Sequence, residues 1–356
     1  MRLYPRHHCH QASARGTERL RAPRSLLRST FRLVQFPPRA EEGGAAAGGR
    51  MPERRSRSRL HRDPQLEALE LQPRDLVVLR DLYYLRFAAA PALYLAAAWA
   101  TNGNGMAYFA KRLTQLWRAG YISRFQAGYS RYLHGSRHFL YTIESGKAAA
   151  AARTGLRPDD IDSDTWRGIL RESAAVQERV REALLACGFA FREINRVIHN
   201  NTELAMKFYT GESSGVRHHV LAAEFLSKFW FEARMRGESV EDIQPGGIAN
   251  LSFRDPEPHR HRELVTADGI VPIKPDCLFT IGGMRFALEA ETGTSSAAKV
   301  RLKIRRYARW ITARDRQLQV LICCATEVHQ RLVSDAVGAL GEPRLAAAII
   351  VHTETV

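Results

Sequence analysis

Three carboxylates clustered in one short stretch are the residues of this chain best suited to chemistry. Pro275-Asp276 leads into an apolar run, and Glu289-Ala290-Glu291 closes the next one. Side chains two apart on a strand share a face, so Lys274 and Asp276 point one way, and Glu289 and Glu291 share a direction as well. Gly282-Gly283 between the runs is a hairpin signal, and pairing through it lets Asp276 and Glu289 converge. Buried carboxylates are costly unless something binds them. Oxygen ligands of this kind suit Mg²⁺ or Mn²⁺, which orients water and stabilises charge at phosphorus. Lys274, Lys299 and Lys303 lie close to these acids in the sequence, the last two four apart on one helical face. We take Asp276, Glu289, Glu291 and Lys303 as the candidate catalytic set, with Asp276 and Glu289 as metal ligands. The competing reading makes the three acids exposed edge residues paired with Arg285, Lys274 or the helix.

The elements around them follow from local pattern. A helix is expected over about 216–235, then a polar segment to about Phe253 and a charged loop, Arg254–Glu263. Strands are expected around Val271–Ile281 and Met284–Glu291, a helix over 295–313, and the strand Leu318–Cys324. A helix over 327–340 and a last strand, Leu345–Val351, complete the chain. Glu224, inside an apolar part of the first helix, reads equally as another site acid or as an exposed pair with Lys228. His218-His219 reads as partly buried helix histidines more readily than as a metal or phosphate contact. Helix, meander, helix, strand, helix, strand, with Pro-Asp and Glu-x-Glu at those places, resembles the core of PD-(D/E)xK nucleases. The resemblance implies a three-layer α/β domain and metal-dependent cleavage of DNA. The family pattern wants a catalytic lysine where this chain has Glu291, so the resemblance implies that Lys274, Lys299 or Lys303 substitutes.

Charge points to a polyanion at the other end. Residues 1–50 hold ten Arg against three Glu, residues 51–153 sixteen Lys and Arg against seven acids, and the remainder is balanced. A helix opens at Pro73, with Leu76, Leu79, Leu82 and Tyr83 at helical spacing. A second lies near Pro91–Trp99, and Thr101–Gly105 is a turn. A third runs from about Met106 to Ala119, with Phe109, Leu113, Leu116 and Trp117 inward and Lys111, Arg112, Gln115 and Arg118 outward. After Gly120, Tyr121–Phe125 alternates like a strand, a basic loop at Ser130–Arg137 follows, and His138–Ile143 alternates again. This order is similar to that of a winged helix-turn-helix, with the third helix in the major groove and the loop as its wing. Lys111, Arg112, Gln115, Arg118, Arg131 and Arg137 are the expected DNA contacts, mainly to phosphate.

Four regions are expected: a disordered basic leader (1–62), a winged helix (63–155), a helical connector (156–205) and a nuclease-like α/β domain (206–356). The leader also reads as sequence upstream of a start at Met51, or as a transit peptide. The connector helix, beginning near Ser163 or Asp164 and ending at Cys187-Gly188, serves domain packing or dimerisation. Five cysteines lack metal or disulfide spacing, and no apolar run reaches the roughly 18 residues of a membrane span. A cytoplasmic protein is expected.

The combination of a winged helix, His219 to Glu224, Pro275-Asp276, Leu288–Thr294 and Lys303 to Tyr307 resembles the replication-relaxation family over about residues 70–320. That resemblance implies DNA processing in replication, relaxation or mobilisation of a plasmid or mobile element. It implies double-stranded DNA as partner, together with a second copy or relaxosome and replication proteins. Three roles stay open: an accessory DNA-binding protein with a degenerate metal-binding domain, an active Mg²⁺-dependent nicking endonuclease, and a transcriptional regulator.

Overall fold

A computed structural model describes residues 69–97, 105–126, 139–144, 162–199 and 214–353. All of them fall within one compact unit, residues 48–356. The architecture is mixed α/β, as expected.

The first element is α1 (Pro73–Leu85), with proline in its first turn, where a missing N–H costs nothing, and Asp75 Oδ2 accepting the Gln72 N–H at 2.7 Å. A two-residue strand β1 (Ala88–Ala89), helix α2 (Ala90–Ala96) and helix α3 (Met106–Arg118) follow. Strands β2 (Ile122–Gln126) and β3 (Phe139–Ile143) join β1 in an antiparallel sheet of order β1-β3-β2. Leu79, Leu82, Leu93, Phe109, Leu113 and Leu116 form the buried centre, the positions that helical spacing selects. Gly120, with φ 85°, stops α3. Residues 98–104 and the loop with Arg131 and Arg137 lie outside the described residues, as does the leader, 1–62.

Helix α4 (Ser163–Ala186) is capped by Asp162, one residue before the earlier of the two expected caps, because its Oδ1 accepts the N–H groups of Asp164 and Thr165. It packs on α1, and Tyr83 stacks on Phe189 at 4.0 Å between centroids. Residues 191–199 form α5.

Helix α6 (Ser214–Met235) precedes a five-stranded sheet. Its strands are β4 (Val240–Pro245), β7 (Cys277–Ile281), β8 (Met284–Glu291), β9 (Gln319–Cys324) and β10 (Ile349–Thr353), in the order β10-β9-β8-β7-β4. β8, β9 and β10 run parallel, while β7 pairs antiparallel with both β4 and β8. Pairing of Ile281 with Met284 leaves Gly282 and Gly283 as a two-residue turn, both at positive φ (56° and 76°), the geometry glycine reaches without strain. Strand parity assigns the two faces. Phe279 and Phe286 meet Phe229 of α6. Leu278, Ala287 and Val320 pack with helices α7 (Ala297–Ala313) and α8 (Glu327–Gly338).

Two expected strands differ. The run from Val271 to Ile281 is interrupted: β6 (Ile270–Val271) pairs with β5 (Phe253–Arg254) in a separate ribbon, and the ladder resumes at Cys277. Pro272 and Pro275 have no N–H to donate, which breaks a continuous strand. The last strand starts at Ile349 rather than Leu345, because Pro343–Ala348 forms a short helix, α9. Proline at its first turn and three consecutive alanines favour that helix. Cys277, Cys323 and Cys324 are buried free thiols. No helix among the described residues is long and apolar enough to cross a membrane.

Candidate functional site

The site forms where the hairpin strands end beside α6 and α7. Asp276, just ahead of β7, donates its N–H to the Leu288 carbonyl at 2.8 Å, and its Oδ2 accepts the Ala290 N–H at 2.8 Å. Those two bonds pin the carboxylate against β8, and its Oδ1 lies 2.5 Å from His218 Nε2. On β8, Glu289 and Glu291 share a face as parity requires, and both are almost fully buried (5% and 3% exposed).

Lys303 reaches both of them. Its Nζ donates to Glu289 Oε2 at 2.8 Å and to Glu291 Oε1 at 2.6 Å. Tyr307, one turn further along α7, donates its hydroxyl to Glu289 Oε1 at 2.5 Å. Gly293, at φ 93°, lets the chain reverse between β8 and α7, and a Cβ there would fall 2.7 Å from the His329 ring. That tight reversal lays α7 back over the strand it has just left.

Burial and charge decide the protonation states. Burial works to raise the Asp276 carboxyl, but the hydrogen bond and charge of His218 outweigh it and hold the acid below its ordinary value. Burial likewise works against the His218 imidazolium, yet bonding to Asp276 raises it. Glu289 is pushed up by burial, with Lys303 opposing and Asp276 adding to the rise. Lys303 is raised against burial by Glu289 and Glu291. Tyr307 is raised well above its ordinary value by burial and then by Glu289. On α6, burial pushes Glu224 up to about 7, with Lys228 opposing. Glu224 and Lys228 are both half-buried and their charges interact, so of the two readings the pair forms, but not as an exposed one.

An arginine arrives from the other half of the molecule. Arg86 ends α1 at φ 64°, ψ −59°, a conformation that costs a non-glycine residue about 1–3 kcal/mol. It is 7% exposed, and its Nη1 donates to the Gly246 carbonyl at 3.2 Å and lies 3.5 Å from His219 Nε2. Burial and then Arg86 depress His219 to about 3, leaving it neutral. Gly246 is small enough for this approach: a Cβ would meet the Asp276 carbonyl at 3.0 Å and Arg86 Nη1 at 3.5 Å.

The structure thus brings Glu289, Glu291 and Lys303 into direct contact, with Asp276 near enough to bear on Glu289. Lys274 and Lys299 are exposed and do not join them. Glu289 and Glu291 are buried on a central strand rather than exposed at an edge, yet they pair with the helix, through Lys303, as the competing reading had it. Sequence reasoning set His218 aside as a partly buried helix histidine, cited Tyr307 only within the family resemblance, and missed Arg86. The spacing of Lys303 and Tyr307, i and i+4, was the available signal for Tyr307.

Among the described residues no cluster of three or more His, Cys, Asp or Glu is arranged to hold a metal ion. The donor chemistry of Asp276 and Glu289 suits a hard cation. In this arrangement, however, both oxygens of Asp276 and both of Glu289 already accept bonds from protein groups. An ion would enter by displacing His218 or Lys303.

The expected DNA contacts on α3 divide. Lys111 and Arg118 are exposed. Arg112 is corrected: it is 8% exposed and bonded to the fully buried Asp75, Nε to Oδ1 at 2.8 Å and Nη2 to Oδ2 at 2.5 Å. Gln115 is half-buried and accepts from Arg112 Nη1 at 3.0 Å. No protein family, curated protein or solved structure matches the chain.

Proposed function

We propose that this protein binds double-stranded DNA and processes it, in the manner expected of the replication-relaxation type, with a PD-(D/E)xK-like site in its C-terminal half. One observation carries the reading: Lys303 extends from α7 to both Glu289 and Glu291, supplying an ammonium where the family motif lacks its lysine. Asp276 and Glu289 would hold Mg²⁺ or Mn²⁺, which when bound supplies Lewis-acid stabilisation of phosphate charge. Lys303 then presents positive charge beside the reacting phosphate. His218 orients Asp276, and Tyr307 orients Glu289.

The N-terminal half supports DNA docking. Its order α1-β1-α2-α3-β2-β3, with β1-β3-β2 in the sheet, fits a winged helix with α3 as the groove-facing helix. Ala107, Lys111 and Arg118 lie along its exposed side. Reversing Lys111 and Arg118 to glutamate is expected to weaken duplex binding and make its log–log salt slope shallower by about two. A fluorescence anisotropy titration at several salt concentrations checks this, and an unchanged slope removes α3 from the interface.

A second reading has its own support. Because the oxygens of Asp276 and Glu289 are all engaged within the protein, an accessory protein that binds DNA without cutting it also fits. Supercoiled plasmid incubated with Mg²⁺ decides between them. Cleavage gives open circles that the isosteric Asp276→Asn/Glu289→Gln variant fails to produce. DNA binding with no change in topology leaves the accessory role.

A further inference from the structure

A second cationic site lies on the loop between β5 and β6. Three arginines of α7 fasten that loop. Arg309 grips the fully buried Asp255 through two bonds, of 2.6 and 2.9 Å, and draws its carboxyl down to about 2. Arg306 donates to the Leu264 carbonyl at 3.1 Å, and Arg305 pairs with Glu263. Glu257 is taken up by Arg260 at 2.9 Å. The loop's carboxylates at 255, 257 and 263 are therefore each neutralised by an arginine.

What remains is a cleft of about 580 Å³ lined by Arg254, His259, Arg262, Thr266, Asp268 and Gly269, among others. Arg254, His259 and Arg262 are exposed. Among the described residues no acidic side chain pairs with the guanidinium of Arg254 or Arg262, which leaves both exposed to a ligand. Planar guanidiniums favour phosphate, which they bind through paired N–H donors. The residues beside the fastening points, Arg254 next to Asp255 and Arg262 next to Glu263, are the ones facing the cleft, so its shape is fixed by α7. Lys303 and Arg309 are six residues apart on that helix, about 9 Å of axis. One helix thus carries both the cation of the acid site and the arginines that fasten the cleft's loop.

We propose that this cleft is a second DNA contact, taking a backbone phosphate between Arg254 and Arg262. The inference rests on the DNA-processing reading above. The test uses the full chain and a short duplex, with anisotropy measured over a salt series. The Arg254→Ala/Arg262→Ala variant is expected to bind roughly tenfold more weakly at low salt, with a slope shallower by about two. Asp268→Asn removes the cleft's own carboxylate and is expected to bind more tightly, a gain that misfolding cannot mimic. If both variants bind as the parent does while Lys111→Glu/Arg118→Glu weakens binding, the cleft proposal falls and the DNA reading stands. If the parent chain binds no duplex at all, both fall. A polyglutamate peptide bound by the parent and lost by the double alanine variant, with DNA affinity unchanged, would instead assign the cleft to an acidic protein and overturn the proposal.

Discussion

Replacing Lys303 with methionine is expected to lower the unfolding free energy at neutral pH by about 3 kcal/mol, the scale for removing one partner of a buried ion pair. Glu289 and Glu291 are 5% and 3% exposed, and Lys303 is the cation bonded to both. Without it, the carboxylates repel each other in a poorly solvated space, and the Glu289 carboxyl, already raised by burial, rises further. The sign of the pH dependence follows. A carboxyl whose folded value lies above its unfolded one contributes stability that is present below the unfolded value, about 4.3 for glutamate, and lost as pH rises through the folded value. The variant's deficit is therefore larger at pH 7 than at pH 4. Guanidinium unfolding at the two pH values measures it, and adding Glu289→Gln to the variant should recover much of the loss. A deficit equal at both pH values would mean that Lys303 acts through packing alone. Should plasmid nicking be observed, the same variant is expected to abolish it.

Arg112→Ala is expected to unfold the N-terminal half rather than to weaken DNA binding selectively. Asp75 is fully buried, and among the described residues its carboxylate is bonded by Arg112 and by the Gln72 N–H. Leaving that charge unpaired costs about 3–5 kcal/mol. Arg112 also donates to the Glu70 carbonyl at 3.1 Å, so it ties α3 to the segment ahead of α1. Lysine cannot reproduce the forked bond to both carboxylate oxygens, so Arg112→Lys should rescue only in part. Thermal melting beside DNA titration separates the outcomes. A variant that melts like the parent but loses DNA affinity would return Arg112 to the interface.

Arg112 marks the boundary between what local sequence pattern encodes and what it does not. Position 112 is three after Phe109 and four before Leu116, both fully buried, so helical spacing alone sets it on the flank of the buried stripe. Its basic neighbour Lys111 made the outward reading attractive. The order of helices and strands in both halves could be read because each depends on local periodicity and on breakers such as Gly120 and Gly282-Gly283. The shared face of Glu289 and Glu291 follows from strand parity, and Lys303 stood among three candidate lysines. The His218–Asp276 pair joins residues 58 apart in the chain, and Arg86 reaches residues 133 and 160 away. Those meetings depend on how α6 packs against α1 and the sheet, which no local pattern encodes.

Arg86 also bears on how such a chain can be dissected or recombined. Its backbone is held in a conformation that glycine would adopt freely, yet glycine would forfeit the guanidinium that spans from α1 to Gly246 and His219. Asp81 and Arg234 at 3.3 Å, and the edge-on rings of Tyr84 and Trp230, reinforce the same seam. A fragment starting near residue 206 would bare this aromatic surface and leave His219 beside an empty seat. Transplanting the C-terminal half onto a different DNA reader would therefore succeed only if the graft also carries residues 73–97, making that short span the true unit of inheritance between the two halves.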